Sequence, residues 1–106
     1  SDDMFIFRGV NIYPGQIAEV LETFPEAGSE YQIVLERHQG KDVMLLHVER
    51  ARGASSDVDA NLGRAVSMAL RKQLLVTPEV KVVDPGDLPR TFGKSKRILD
   101  RRNDDV

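Results

Sequence analysis

Cysteine is absent from the 106 residues of this chain. Disulfides, thiol catalysis and cysteine-ligated metal sites are therefore excluded together. Histidine is almost as scarce, with His38 and His47 the two present. They lie apart, and the sequence sets no carboxylate or serine beside His47 for catalysis, so neither a zinc site nor a His47-driven nucleophile is indicated and no metal site is expected. No apolar run approaches the roughly 20 residues that span a bilayer. The start also lacks the charged n-region and apolar h-region of a signal peptide. The expected compartment is the cytoplasm, with no membrane contact. The net charge of −2 exerts no overall pull toward nucleic acid or anionic lipid.

What remains is an ordinary globular composition, 41% hydrophobic and 30% charged, enough for one domain around one core. An enclosed substrate cavity in so small a body would be unusual, so a sizeable ligand is expected on a face or between this domain and another. The stretch "SDDMFIFRG" enters a strand-like pattern within three residues, as an excised domain does. A native start with its Met removed before Ser1 stays open.

The periodicity predicts an α+β sandwich: a β-hairpin, then a small sheet with two helices packed on one face. "MFIFRGVNIYP" reads as two short strands about Arg8-Gly9. Pro14 suits a first helical turn. Ile17, Val20, Leu21 and Phe24 then share one helical face, with Pro25 and Gly28 as stops. Tyr31 to Arg50 reads as two strands joined through the five-residue turn "HQGKD", the second strand the more central. Ser56 with Asp59 resembles a capping box for a helix running to about Leu75, with Val58, Leu62, Val66, Ala69 and Leu70 on its apolar stripe. Gly63 inside that helix costs roughly 1 kcal/mol against alanine. "TPEVKVVD" is a last strand between Pro78 and Pro85. The expected division is hairpin and hinge over 1–14, core over 15–87, and a basic loop and frayed tail over 88–106.

That basic run, "LPRTFGKSKRILDRR", has three readings. Pro89 constrains its entry and Gly93 frees the backbone just before Lys94, whose ammonium is a point donor suited to phosphate or carboxylate oxygens. A solvated basic patch is the plainer alternative, and composition alone favours it. As a nucleic-acid tail, Lys94, Lys96, Arg97, Arg101 and Arg102 would meet phosphates, but Phe92 is the one aromatic available for base stacking. Arg8-Gly9 is either a turn needing positive φ or a bare stretch of backbone along which a ligand passes. Asp2 and Asp3 are either a solvated linker or a hinge.

Two separated segments, "DDMFIFRGVNIYPGQIAEVL" and "LPRTFGKSKR", resemble in order and spacing the start and end of the C-terminal domain of adenylate-forming enzymes, which include the acyl-CoA synthetases. "RGVNIYP" followed by "QIAEVL" is most similar to the phenylacetate-CoA ligases. "PRTFGK" fits them as well, since it lacks the Ser and the extra residue usual before the Gly-Lys of the broader group. The resemblance covers essentially the whole chain and lifts Lys94 above the patch reading.

It implies a mobile lid domain of an ATP-dependent acid–CoA ligase, inactive alone, that rotates against an N-terminal adenylation domain of the same chain. A carboxylate, here an aromatic acid, attacks the α-phosphate of ATP, and the thiol of coenzyme A then displaces AMP. By the same resemblance Lys94 enters the site for the first step and Asp2, with Asp3 beside it, is the hinge. Arg8, Gly9 and Gly93 are the cofactor-binding residues it implies: Gly9, flanked by Arg8, lies along the coenzyme A arm in the second step, and Gly93 precedes the lysine. ATP, Mg²⁺ and the acid would bind mainly to the N-terminal domain. The parent could be homodimeric, and no nucleic acid is expected as a partner. Two alternatives are an enzyme that adenylates without coenzyme A and a stand-alone binding module that holds an anionic partner through its basic loop.

Overall fold

A computed structural model describes residues 3–90 and 97–103. Strands β1 (Phe5–Phe7) and β2 (Val10–Ile12) pair antiparallel with Phe5 opposite Ile12. Arg8 and Gly9 take φ of 50° and 80° between them. Two successive left-handed residues match the right-handed twist of the flanking strands, which is why a glycine stands there. Phe5, Phe7 and Ile12 face inward and Ile6 and Asn11 outward, the period-2 alternation of a half-buried hairpin.

Helix α1 (Pro14–Leu21) begins on its proline, whose missing N–H costs nothing in the first turn. Gln16 Oε1 accepts the Tyr13 N–H at 2.9 Å and closes the start. Ile17 and Leu21 are buried. The helix stops at Leu21, a turn before the Pro25 and Gly28 signals, because the Phe24 N–H folds back to the Leu21 carbonyl at 3.0 Å. Gly28 instead lies in strand β3 (Ala27–His38). A Cβ there would stand 3.1 Å from the Glu49 carbonyl oxygen, so the glycine marks a close backbone approach.

Strand β3 pairs antiparallel with β4 (Lys41–Arg50) from Ala27 opposite Arg50 to His38 opposite Lys41, with an irregularity between Ala27 and Tyr31. Their turn is two residues, not the five expected. Gln39 accepts a φ of 54° beside Gly40 at 79°, which lets His38 and Lys41 pair. The main sheet runs β5-β4-β3-β6, where β5 is Glu79–Val83 and β6 is Ile98–Asp100. Strands β3 and β4 are thus equally internal. Strand β6, parallel to β3, was not expected: a three-residue strand inside a charged run has too little pattern to stand out.

A 3₁₀ turn (Ser56–Val58) leads into α2 (Asp59–Leu74), which crosses back over the sheet so that β5 lies parallel to β4. The cap is Ser55, whose side chain accepts the Asp57 N–H at 3.1 Å. No Ser56–Asp59 capping box forms, because Asp59 is drawn to Arg50 through two bonds of 2.8 Å. Both helices cover the same sheet face, as the periodicity implied. Ile17 and Leu21 of α1 and Leu62, Val66, Leu70 and Leu74 of α2 pack over Ile33, Leu35, Met44, Leu46 and Val48.

Gly63 is buried against β5, where a Cβ would meet the Val80 carbonyl oxygen at an ordinary 3.5 Å. The space admits a methyl group and φ is helical. Gly63→Ala is therefore expected to raise stability by up to about 1 kcal/mol, seen as a higher urea midpoint at unchanged slope; a lower midpoint would show that α2 cannot withdraw from β5.

Candidate functional site at two ends of the β3–β4 ladder

The Arg8-Gly9 turn sits at the hairpin end of β3 and β4. Arg8 donates through Nε to the Asp42 carbonyl at 3.0 Å, and its guanidinium lies 5.6 Å from the centre of the Phe7 ring. Arg102 ties three strands together there. Its Nη1 donates to the Ile6 carbonyl at 2.6 Å and to Asp42 Oδ2 at 3.0 Å, and its Nη2 donates to Asp100 Oδ2 at 2.9 Å. Burial alone would raise the Asp42 carboxyl, but Arg37 and Arg102 hold it below the usual aspartate range. Arg8, Arg37, Gly40, Lys41 and Asp42 line a shallow cleft with a net positive rim. Gly9 is exposed and lines a neighbouring cleft with Arg8, Arg37, Asp42, Asp100 and Arg102, and a Cβ added to it meets nothing within 4 Å.

At the opposite end lie the residues on either side of the 91–96 segment. Lys94, Gly93 and the hinge candidate Asp2 fall outside the described residues, as do Phe92 and Lys96; Asp3 is exposed just ahead of β1. Leu88, Arg90 and Arg97 are described, and two glutamates hold them. Glu49 is buried at the end of β4. Its Oε2 accepts the Leu88 N–H at 2.9 Å, and both its oxygens accept Arg90 Nη2 at 2.9 Å. Glu30 Oε2 lies 3.7 Å from Arg90 Nη1, and Oε1 lies 3.5 Å from Arg97 Nη1. Arg97 also stacks on Tyr31, 4.3 Å from the ring centre, and donates to the Tyr31 carbonyl at 3.3 Å. Burial would push the Glu49 carboxyl up, yet the N–H groups of Gly86 and Leu88 and the Arg90 guanidinium bring it below the usual glutamate range. Beside this cluster the buried Arg50 joins Asp59 to Asp84, each at 2.8 Å, fixing the stretch that leads toward Pro85.

Sequence reasoning missed Glu30 and Glu49. The available signal was two acids at the far ends of otherwise apolar strands, with an arginine in "LPRT". The structure also changes the meaning of the basic run. Arg97 meets Glu30, Arg101 Nη1 lies 3.9 Å from Glu36, and Arg102 is held by Asp42 and Asp100. These three cations have carboxylate partners, and Arg101 and Arg102 belong to an anchored strand end, not a frayed tail. His47 is half-buried, and burial together with Lys81 holds its imidazole below the usual histidine range, hence neutral at pH 7. Among the described residues no three His, Asp or Glu side chains converge as metal ligands, and no helix is long and apolar enough to cross a membrane.

The two candidate regions are well apart. Asp42 marks one end of β4 and Glu49 the other, about 23 Å along the strand at roughly 3.3 Å per residue. No single ligand-sized site can take in both.

Residues 9–102 match the family model described as the AMP-binding enzyme C-terminal domain. The phenylacetate-coenzyme A ligase of Thermus thermophilus is 37% identical over 118 residues, a match spanning 96% of this chain and 26% of that enzyme. The crystal structure of a domain of phenylacetate-coenzyme A ligase from Bacteroides vulgatus superposes with a TM-score of 0.84 at 39% identity, covering 95% of this chain and 94% of that one. A 2-hydroxyisobutyryl-CoA ligase, solved with 2-HIB-AMP and CoA in its thioesterification state, gives a TM-score of 0.85 at 34% identity and covers 95% of this chain but 22% of its own. The chain spans about a quarter of the length of the curated relatives it matches. It belongs to the AMP-binding enzyme C-terminal domain family, alongside the corresponding domain of phenylacetate-coenzyme A ligase.

Proposed function

We propose that this domain is the mobile C-terminal part of an ATP-dependent acid–CoA ligase that activates phenylacetate or a similar aromatic acid, and that its two ends serve the two half-reactions in turn. The observation that carries this reading is the separation of the Arg8-Gly9 turn from the Glu30/Glu49 end along one rigid ladder. If both ends act on the same acyl group, the domain must turn between steps, and Asp2 with Asp3, ahead of β1, is where that rotation is expected.

In the first step an oxygen of the acid attacks the α-phosphorus of ATP, the bond to the β-phosphate oxygen breaks, and pyrophosphate leaves. Lys94 places a positive charge against the oxygens of the five-coordinate phosphorus and holds the acid in line. In the second step the thiol of coenzyme A, losing its proton, attacks the acyl carbonyl and AMP departs with the bonding pair. The pantetheine arm then runs past the bare backbone of Gly9, and the positive rim of Arg8, Arg37 and Lys41 suits the phosphates of the coenzyme. ATP, Mg²⁺ and the acid are held chiefly by the preceding N-terminal domain, so the isolated domain is expected to be inactive.

The test is phenylacetate-dependent release of pyrophosphate from ATP by the full-length parent, followed by thioester formation once coenzyme A is added. Both are expected from the parent and neither from this domain alone. Pyrophosphate release with no thioester would move the assignment to adenylation without coenzyme A.

A further inference from the structure

We infer that Glu30 and Glu49 are positioning residues for the adenylation half-reaction, a two-carboxylate clamp that fixes both flanks of the 91–96 segment to one end of the sheet. The inference rests on the proposed role of Lys94, which that segment carries.

Glu30 on β3 and Glu49 on β4 come together at the same end of the ladder, where Arg90 bridges them through its two terminal nitrogens. Facing acids on neighbouring strands destabilise a sheet, and a carboxylate as buried as Glu49 is costly without partners. A pair that only held the fold together would find its partners in the helices or the sheet. The hydrogen-bond partners of Glu49 are instead Leu88 and Arg90, on the approach to the segment. Glu30 meets Arg90 on the near side and Arg97 on the far side. Donors from both sides of the segment thus converge on the two acids. The planar, forked guanidinium of Arg90 can satisfy both carboxylates at once, which an ammonium cannot. Arg90 thus couples the two acids, while the Leu88 N–H on Glu49 and Arg97 on Glu30 hold the flanks on either side.

The device matters because the lysine must meet phosphate oxygens within a fraction of an ångström. A displacement of about 1 Å is worth on the order of 100-fold in rate, and a long side chain preceded by a glycine does not supply that accuracy by itself. The accuracy has to come from what holds the flanks of the segment.

The experiment uses the full-length parent carrying Glu30→Gln with Glu49→Gln, Arg90→Lys alone, and Lys94→Ala as the reference. Both half-reactions are measured, the second from supplied acyl-adenylate, and thermal unfolding establishes that each variant is folded. The double variant and Arg90→Lys are expected to lose about 10- to 100-fold in kcat for pyrophosphate release, with KM for ATP moved less than threefold and thioester formation within twofold of the parent. Trypsin should also cleave between residues 90 and 97 several-fold faster in both variants, with cleavage elsewhere unchanged. A folded double variant that releases pyrophosphate at the parental rate, while Lys94→Ala does not, overturns the clamp and leaves the lysine's role standing. Equal losses in both half-reactions overturn it as well, since they mark a merely structural pair. If Lys94→Ala itself releases pyrophosphate normally, the functional reading fails and the clamp fails with it.

Discussion

Lys94→Ala in the full-length parent is expected to lower acid-dependent pyrophosphate release by about 100- to 1,000-fold, the usual consequence of removing one preorganised donor from a developing oxyanion. Transfer from supplied acyl-adenylate to coenzyme A should stay within about threefold of the parent. The asymmetry follows from where the charge develops. In the first step negative charge grows on the phosphoryl oxygens, and a cation pointing at them lowers the barrier more than it stabilises bound ATP. In the second step charge develops on the acyl carbonyl and the departing AMP, and under the proposed rotation the Arg90/Arg97 end of the ladder is turned away. The flanks at Arg90 and Arg97 belong to the opposite end of the ladder from Gly9, so one orientation cannot serve both. Lys94→Arg is a sharper control than it looks. It keeps the charge but exchanges a compact ammonium for a wide planar fork, so partial recovery of at most about tenfold over alanine is expected. Equal loss in both half-reactions would remove the lysine from the first step in particular; full activity would return it to the solvated-patch reading.

The parts of the molecule that were legible in the sequence are those governed by local rules. Pro14 announces a helix start because its ring fixes φ and its absent N–H is not needed there. Ile17 and Leu21, four apart, share a face in any helix. Gly9 supplies one of the two left-handed residues that its tight hairpin requires. The errors share a different cause. Gly28 reads as a helix stop until β4 is known to pass within 3.1 Å of its missing Cβ. Asp59 reads as half of a capping box until Arg50 is found 2.8 Å away. Strand β6 is invisible because Ile98 and Leu99 acquire their partners only from β3, more than sixty residues earlier in the chain. Local periodicity carries no term for such partners. The same limit hid Glu30 and Glu49, whose meaning depends on Arg90 and Arg97, and it made the arginines of the basic run look free. The family resemblance escaped this limit because it rests on two segments of sequence, both within the stretch that matches the family, and not on any contact between them.

Gly9→Trp should produce the converse of the lysine variant, sparing pyrophosphate release to within about twofold and lowering thioester formation from acyl-adenylate by about 100-fold. Two effects of the substitution must be kept apart. Any L-residue at φ of 80° is strained, at a cost of roughly 1–2 kcal/mol in stability. Gly9→Ala carries nearly the same strain with a single added carbon, so it is the proper control and should retain most of the thioester-forming rate. The remaining difference between the two variants is bulk. The turn has room for the start of that side chain, since a Cβ at Gly9 finds no heavy atom within 4 Å. An obstruction that appears in one half-reaction and spares the other points to something brought to the turn from outside, and the coenzyme arm is the candidate present in the second step and not needed in the first. Raising the coenzyme A concentration separates the remaining cases. A block by bulk shows as a raised KM for coenzyme A together with a lowered kcat/KM, at unaltered KM for ATP. Equal losses in the Ala and Trp variants would trace the defect to the strained turn, and a Trp variant that forms thioester at the parental rate would remove Gly9 from the coenzyme path.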